Sequence, residues 1–338
     1  DKGYVTSRAF MQMPQSRLNE QILEIVMVEG KISTIEGLKR KEIFFAFPSV
    51  EGKVLDLRAI EQGLDQINRL GYANATLDIQ ADAMKDGYSQ AVITKQTYDR
   101  SNISLFFDNA GSESTGEWRG GLRFSHDNLI GINDQINLSY TKPFSNDYNR
   151  KDANSFTFGL SIPFGYWNIS NNFSFSNNLS SFKLPVSGDL RKSTGETFND
   201  SLSISRLLAR GQKYKISAGI GLTVKDTKSF TEVLGTKIKN EAASRRLTVF
   251  NAELPMTFYL NNGVIYAKPS YHRGLTFFNA LDDKEVDYTQ SAQFNLYKLY
   301  DYYSRRVGTG SLTVSVDTQY SPDVLFGSES MYIGRQGS

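Results

Sequence analysis

The segment KYKISAGIGLTVK places Tyr214, Ile216, Ala218, Ile220, Leu222 and Val224 at every second position. Lys213, Lys215, Ser217, Gly219, Gly221, Thr223 and Lys225 fill the gaps. A period of two belongs to a β-strand, whose successive side chains point to opposite faces. SFTFGLSIPF repeats it, with Phe156, Phe158, Leu160 and Ile162 against Ser155, Thr157, Gly159 and Ser161. So do EWRGGLRFS, DQINLSYTKPF, YWNISNNFSFSNN and SLTVSVDTQY. From Ser101 onward the pattern predicts about eleven strands, many of about ten residues or more. Globular strands usually run to about five or six residues, whereas about ten are needed to cross a bilayer at a tilt.

Connections alternate in length. GYWN (Gly165–Asn168) and ARGQK (Ala209–Lys213) are tight, while SNDYNRKDAN, LPVSGDLRKSTGET and TKSFTEVLGTKIKNEAAS are long and polar. Short turns at one end and long loops at the other fit an outer-membrane barrel. The polar side is mostly Ser, Asn, Gly and Thr with interspersed Lys and Arg, which suits a wet lumen; the apolar side is then expected to face lipid. Trp118, Tyr166, Trp167, Tyr259 and Tyr302 are placed for interfacial girdles. The rival reading is a soluble β-rich adhesin or lectin, which buries the apolar face.

Composition narrows the function classes. A net charge of +2 with 22% charged residues gives no polycationic surface for nucleic acid. Without cysteine there is no disulfide, thiolate metal site or cysteine nucleophile. The longest apolar run, IFFAF at Ile43–Phe47, is far below the roughly 18 residues of a membrane helix. His126 and His272 lie far apart in sequence, and Asp282-Asp283 sits in a polar stretch. GLTVKD and GIGL lack the Lys-Ser/Thr that completes a phosphate loop. No enzyme, cofactor or metal is expected.

The front third reads differently. Leu57, Ile60, Leu64 and Ile67 make one stripe of a helix over 57–70. Asp56 is its expected N-cap, Leu55 and Ile60 its staple and Gly71 its C′ residue. Arg58, Gln62, Asp65 and Arg69 occupy the opposite, exposed face. A strand, KISTIEGL, and a short helix, RKEIFFAFPS, precede it. Strands at Ala73–Ala81 and Tyr88–Gln96, joined by a turn at Lys85–Gly87, follow, giving the order β-α-α-β-β. The segment from Gly3-Tyr4 (YVTSRAFMQ, then ILEIVMVEG) echoes that from Gly71-Tyr72 (YANATLDIQ, then YSQAVITKQ). Residues 1–31 are therefore expected to be the tail of a repeat. Eleven strands is an odd number for a closed bacterial barrel, so further strands are expected after Ser338.

GYVTSRAF, VEGKI, LDLRAIEQGLDQINRL and HDNLIGINDQINLSY carry a resemblance to the translocators of two-partner secretion, the TpsB type, near the contact-dependent inhibition, haemolysin and adhesin exporters. It implies a mainly β chain: a transmembrane antiparallel barrel of about sixteen strands, preceded by periplasmic α/β POTRA domains. Residues 1–31 would end the first POTRA domain and 32–99 form the second. Residues 100–338 would begin the barrel and end in a long loop. The family's plug helix and Arg-Gly-aromatic loop motif lie outside this chain, and Gly334-Arg335 does not match the motif.

The resemblance further implies a monomeric barrel in outer-membrane lipid that exports one large β-helical exoprotein. That partner would arrive unfolded and bind the second POTRA domain through Arg58, Gln62, Asp65 and Arg69 and the strand residues Asn74, Thr76 and Asp78. It would then thread past pore-lining Arg119, Arg123, Lys213, Lys215 and Lys225. A barrel-assembly insertase and a passive porin or receptor are the alternatives.

Overall fold

The computed structural model describes residues 3–12, 24–48, 50–148, 151–183, 190–233, 235–285 and 289–331. The chain divides into two units. The first holds residues 1–100 with the connecting segments 127–134 and 162–166. Its first strands, β1 (Arg8–Gln12) and β2 (Glu24–Val28), form an antiparallel pair. A separate three-stranded sheet follows, in the order β3 (Lys31–Glu36), β5 (Tyr88–Thr97), β4 (Ala73–Ala81). β3 and β5 are parallel and β4 is antiparallel to β5. A parallel pair needs a long crossover; α1 (Arg40–Ala46), α2 (Leu57–Asn68) and β4 supply it.

The helical stripe is the reason α2 forms. Ile60 and Ile67 are fully buried with Leu55, Leu70 and Tyr72, against Ile32, Ile35, Ala91 and Ile93 of the sheet. Asp56 caps it, accepting the Arg58 N–H at 2.9 Å, and Leu55 and Ile60 are both in the core. Its C-terminus departs from expectation. Gly71 does not take a left-handed φ. The last turn instead tightens, Leu70 N–H donating to Ile67 O at 3.4 Å, which turns Leu70 into the core. The β4–β5 turn does use a left-handed glycine, Gly87 at φ +77°.

The second unit, residues 101–126, 135–161 and 167–338, is one antiparallel meander. Its path runs β6 (Ser101–Asp108), β7 (Trp118–Asp127), β8 (Gln135–Phe144), β9 (Asp152–Phe164), β10 (Trp167–Lys183), β11 (Leu190–Arg210) and β12 (Tyr214–Val233). It continues through β14 (Arg245–Glu253), β16 (Gly263–Leu275), β17 (Asn295–Val307) and β18 (Gly310–Tyr320). β13 (Thr236–Lys239) pairs with the far end of β12. β15 (Met256–Leu260) pairs with β12 and β16, as β14 does. β14 and β15 are thus one span interrupted at Leu254-Pro255, where proline has no N–H for the ladder. That leaves eleven spans among the described residues.

Three of them are longer than the pattern predicts: β10, β11 and β12 run 17, 21 and 20 residues. LPVSGDLRKSTGET and TKSFTEVLGTKIKNEAAS were expected as loops, yet the ladder continues through Lys192↔Glu232 and Ser193↔Thr231. Backbone pairing there goes on past the apolar band, with polar residues on both faces, so hydropathy gives no strand signal.

Register fixes the faces. Ile169, Ile204 and Ile220 align across β10, β11 and β12, as do Ser170, Ser203 and Gly221 on the other side. On β6 and β7, Ile103, Leu105 and Phe107 align with Phe124, Leu122 and Gly120. This apolar face is uncovered: Leu105 is 80% exposed, Ile220 57% and Leu202 51%. A continuous apolar surface across so many strands is not tolerated in water. Trp118 and Trp167 open β7 and β10 on this face, Trp118 stacked on Phe107 at 5.2 Å, and Tyr166 lies in the β9–β10 turn. Tyr302 aligns instead with Tyr266 and Ser315, midway along β17, and Tyr259 shares their side. These two belong to the polar face and not to a girdle.

Candidate functional site

Two groups of candidate residues were read from the sequence, one in each unit. In the first unit, the α2 face is not open as expected. Gln62 is buried, and its Nε2 and that of Gln66 donate to Gly165 O at 3.3 and 3.0 Å. Arg69 Nη2 donates to Asn133 O at 2.6 Å. Segments 127–134 and 162–166 therefore cover part of this face: Gln62 is buried, Arg58 and Asp65 are half-buried and Arg69 stays exposed. Gly165 must be glycine: its φ is +56°, its N–H donates to Phe45 O, and a Cβ would lie 2.5 Å from Pro48 Cγ. The β4 candidates fare differently. Asn74, Thr76 and Asp78 are exposed and alternate with Ala75, Leu77 and Ile79, which pack on the core. β4 is an edge of its sheet.

A buried polar centre went unforeseen. Glu42 is 2% exposed. Its Oε1 accepts from Lys95 Nζ at 2.6 Å, Asn128 Nδ2 at 3.1 Å and Tyr72 O–H at 3.2 Å. Its Oε2 accepts the Lys39 N–H at 3.1 Å. Asn128 Nδ2 also donates to the Tyr72 oxygen at 2.7 Å, and Asn128 Oδ1 accepts the Asn133 N–H at 2.8 Å. Burial pushes the Glu42 carboxyl up, but the Lys95 and Lys39 hydrogen bonds, the Lys95 charge and the Tyr72 hydrogen bond outweigh it and hold it below its usual range. Burial, reinforced by the Glu42 charge, pushes the Tyr72 phenol up to about 12.

The HDNLIGIND stretch is shaped for this centre. Asn128 and Asn133 take left-handed φ of 59° and 61°, which asparagine tolerates. The Asp134 carboxylate accepts the Leu129 and Ile130 N–H groups. The available sequence signal was Glu42 four residues before Ala46, on the buried side of α1. The arrangement fastens a fold; it holds no nucleophile–base pair. Among the described residues, no three His, Asp or Glu side chains gather to hold a metal.

In the second unit, Arg119 and Arg123 lie opposite Trp118 and Leu122, on the polar face. Arg119 Nε is 2.6 Å from Asp108 Oδ1, and Arg123 lies over the Phe106 ring at 4.3 Å. Lys215 and Lys225 share the polar face of β12. Lys213 does not: it lies in the β11–β12 connection, where Gly211 N–H donates to Tyr214 O and closes the turn. Lys225 is also not open to a passing chain. Its Nζ pairs with Glu329 Oε1 at 2.7 Å, and Glu329 is buried.

The segment after β18 thus lies on the polar face. Phe326 packs with Leu247, Val249, Ala292, Phe294 and Leu296, under the Arg245 guanidinium at 4.6 Å. No periodicity marked Phe326 or Glu329. His126 is the last residue but one of β7, and His272 sits on β16, beside Ser270 Oγ at 3.1 Å.

Known proteins give this geometry its context. A POTRA-domain model matches residues 23–81. A second, described as haemolysin secretion/activation protein ShlB/FhaC/HecB, matches residues 87–338. The outer membrane transporter CdiB of Dickeya dadantii (strain 3937) is 31% identical over 344 residues, covering 100% of this chain and 59% of that protein. The hemolysin transporter protein ShlB of Serratia marcescens is 29% identical over 333 residues, covering 97% and 58%. The solved structure of CdiB from Escherichia coli has a TM-score of 0.87 at 30% identity, covering 97% of this chain and 60% of that one.

The chain spans about 60% of the length of these relatives. By these matches the meander is part of an outer-membrane β-barrel, and the POTRA module is periplasmic. The chain belongs to the ShlB/FhaC/HecB family of haemolysin secretion/activation proteins, the TpsB-type translocators of two-partner secretion.

Proposed function

We propose that this protein exports one large secreted partner of β-helical type across the outer membrane; its relatives are named as an outer membrane transporter and a hemolysin transporter. The observation that carries the reading is the two-faced meander: apolar residues face lipid while Ser, Thr, Asn and Gly, with few apolar side chains, line the interior. Many weak polar contacts let an extended chain slide without being trapped. Folding of the partner outside supplies the drive, since the reading requires no nucleotide.

Capture begins on the POTRA module. β4 is an edge strand, and an extended chain adds to such an edge through backbone hydrogen bonds. Asn74, Thr76 and Asp78 are the recognition residues of this edge, with Arg58 and Asp65 of α2 as separate, secondary contacts. Gln62 and Arg69 serve to hold the module's own segments. Residues 1–31 are the end of a first POTRA domain and 32–99 the second. Met11, Ile25 and Met27 are exposed on the β1–β2 pair, a surface that two strands cannot bury by themselves. Residues 100–338 begin the barrel, a monomer in lipid.

Combining Thr76→Glu with Asp78→Arg is expected to lower the secreted partner about tenfold, the effect of losing about 1.4 kcal/mol of binding, with heat-modifiable gel mobility of the barrel unchanged. Secretion at the parent level with the barrel intact would contradict capture at β4.

A further inference from the structure

The outer face of α1 is not used by the capture and export just described. α1 has seven residues, Arg40–Ala46. Glu42 and Ala46 point into the core and are buried. Arg40, Lys41 and Phe44 share the other side, at spacings of three and four residues. All three are exposed, as is Lys39 just before the helix. Phe44 is 60% exposed, a costly place for phenylalanine in water. Its ring meets Phe164 at 5.7 Å and Phe45 at 5.5 Å. Phe164 ends β9, two-residue steps along from Phe156, Phe158 and Leu160 of the lipid-facing surface. In the neighbouring connection, between β7 and β8, Leu129 and Ile130 are also exposed. In a meander β7 and β9 run in the same direction, so both connections lie at the same end of the sheet.

We infer that the outer face of α1 is a lipid-binding surface: Phe44 enters the periplasmic leaflet of the outer membrane, and Lys39, Arg40 and Lys41 contact the phosphates of its anionic headgroups. Two features point to lipid rather than to a protein partner. A run of cations beside an exposed aromatic is the composition of a membrane-interface segment, in which the rings sit at headgroup depth and long basic side chains reach the phosphates. The cations also complement an anionic surface, where each gains from the local potential. The consequence is a tethered module: α1 on the leaflet leaves β4, on the other side of the core, free to receive a partner.

The test uses spin labels, for which the absence of cysteine from this chain gives single sites. Phe44→Cys and, as control, Met84→Cys, which is 92% exposed in the β4–β5 turn, are labelled in the full chain. They are compared in nanodiscs of phosphatidylethanolamine with phosphatidylglycerol. The label at 44 is expected to be accessible to oxygen and shielded from a water-soluble nickel chelate, and the label at 84 the reverse. Adding Arg40→Glu and Lys41→Glu to Phe44→Cys is expected to restore nickel access at 44. A label at 44 as open to nickel as that at 84 would overturn the inference. So would shielding that arises only when an exported partner is added, which would assign the face to protein. A label on Arg40→Cys, expected at headgroup depth, keeps the test decisive if Phe44→Cys assembles poorly.

Discussion

Glu42→Ala is expected to destabilise the POTRA module by about 3–5 kcal/mol, the range for deleting one partner of a buried ion pair. The reason is what remains. Lys95 Nζ loses its counter-charge 2.6 Å away, and Tyr72 and Asn128 lose an acceptor at a site closed to water. Amide exchange of β3, β4 and β5 in the full chain reads the effect as local opening. At about 1.4 kcal/mol per tenfold, protection should fall by about two to three and a half orders of magnitude. Glu42→Gln with Lys95→Met should recover part of the loss, because the pair is then removed as a pair. Additive losses would show that the two groups are not coupled.

The same centre sets a pH window. The Glu42 carboxyl is held below its ordinary value of 4.5, so the folded state binds this proton more weakly than the unfolded state. Its stabilisation is complete above that value and is lost as pH falls through and below it. The Tyr72 phenol, ordinarily at 10, is pushed to about 12; its contribution is complete below 10 and is lost between 10 and about 12. Exchange protection corrected for intrinsic rates should fall off at both ends, and Glu42→Gln should remove the acid limb attributable to this carboxyl.

The second large effect separates two adjacent residues. Ile204→Arg should destabilise the barrel in lipid vesicles by about 2–4 kcal/mol, the cost of arginine near the bilayer midplane on a barrel's lipid face. Ser203→Arg should change stability by no more than a few tenths of a kcal/mol, since its side chain enters a wet interior. Ile204 aligns with Ile169 and Ile220, and Ser203 with Ser170 and Gly221. Arg206, nearer the turn, already holds its guanidinium over Trp167 at 5.1 Å, the interfacial version of the same residue type. Guanidinium unfolding of the refolded protein gives the comparison. Equal losses at 203 and 204 would contradict the assignment of faces.

What the sequence made legible follows from what local periodicity encodes. The period of two found the spans because each strand has one apolar face, and the stripe of α2 found the helix and its cap. The POTRA order was readable for the same reason. Periodicity reports a face, but not what covers it. Gln62 and Arg69 look solvent-facing on the helical wheel, yet their partners, Gly165 and Asn133, come from segments far along the chain. Glu42 shares the buried side of α1 with Ala46, but nothing local in the sequence brings it Lys95 and Asn128. Lys225 reads as a pore cation until Glu329, more than a hundred residues away, pairs with it. Tyr302 was misplaced because a girdle assignment needs strand ends, and the middle of β17 carries aromatics on both sides. The polar extensions of β10–β12 were lost because they carry no apolar alternation, and the side chains that join them, such as Lys192 with Glu232 at 3.9 Å, come from different strands.

The most direct test of export through the interior is a photocrosslinker at Thr223 or Leu222 in cells secreting the partner, with translocation arrested midway. These neighbours point to opposite faces: Thr223 Oγ1 donates to Ser201 Oγ at 3.0 Å on the polar side, and Leu222 aligns with Leu202 on the apolar side. The account predicts a covalent adduct with the partner from position 223 and none from 222. An arrested partner that crosslinks to neither position, or equally to both, would contradict passage along this face.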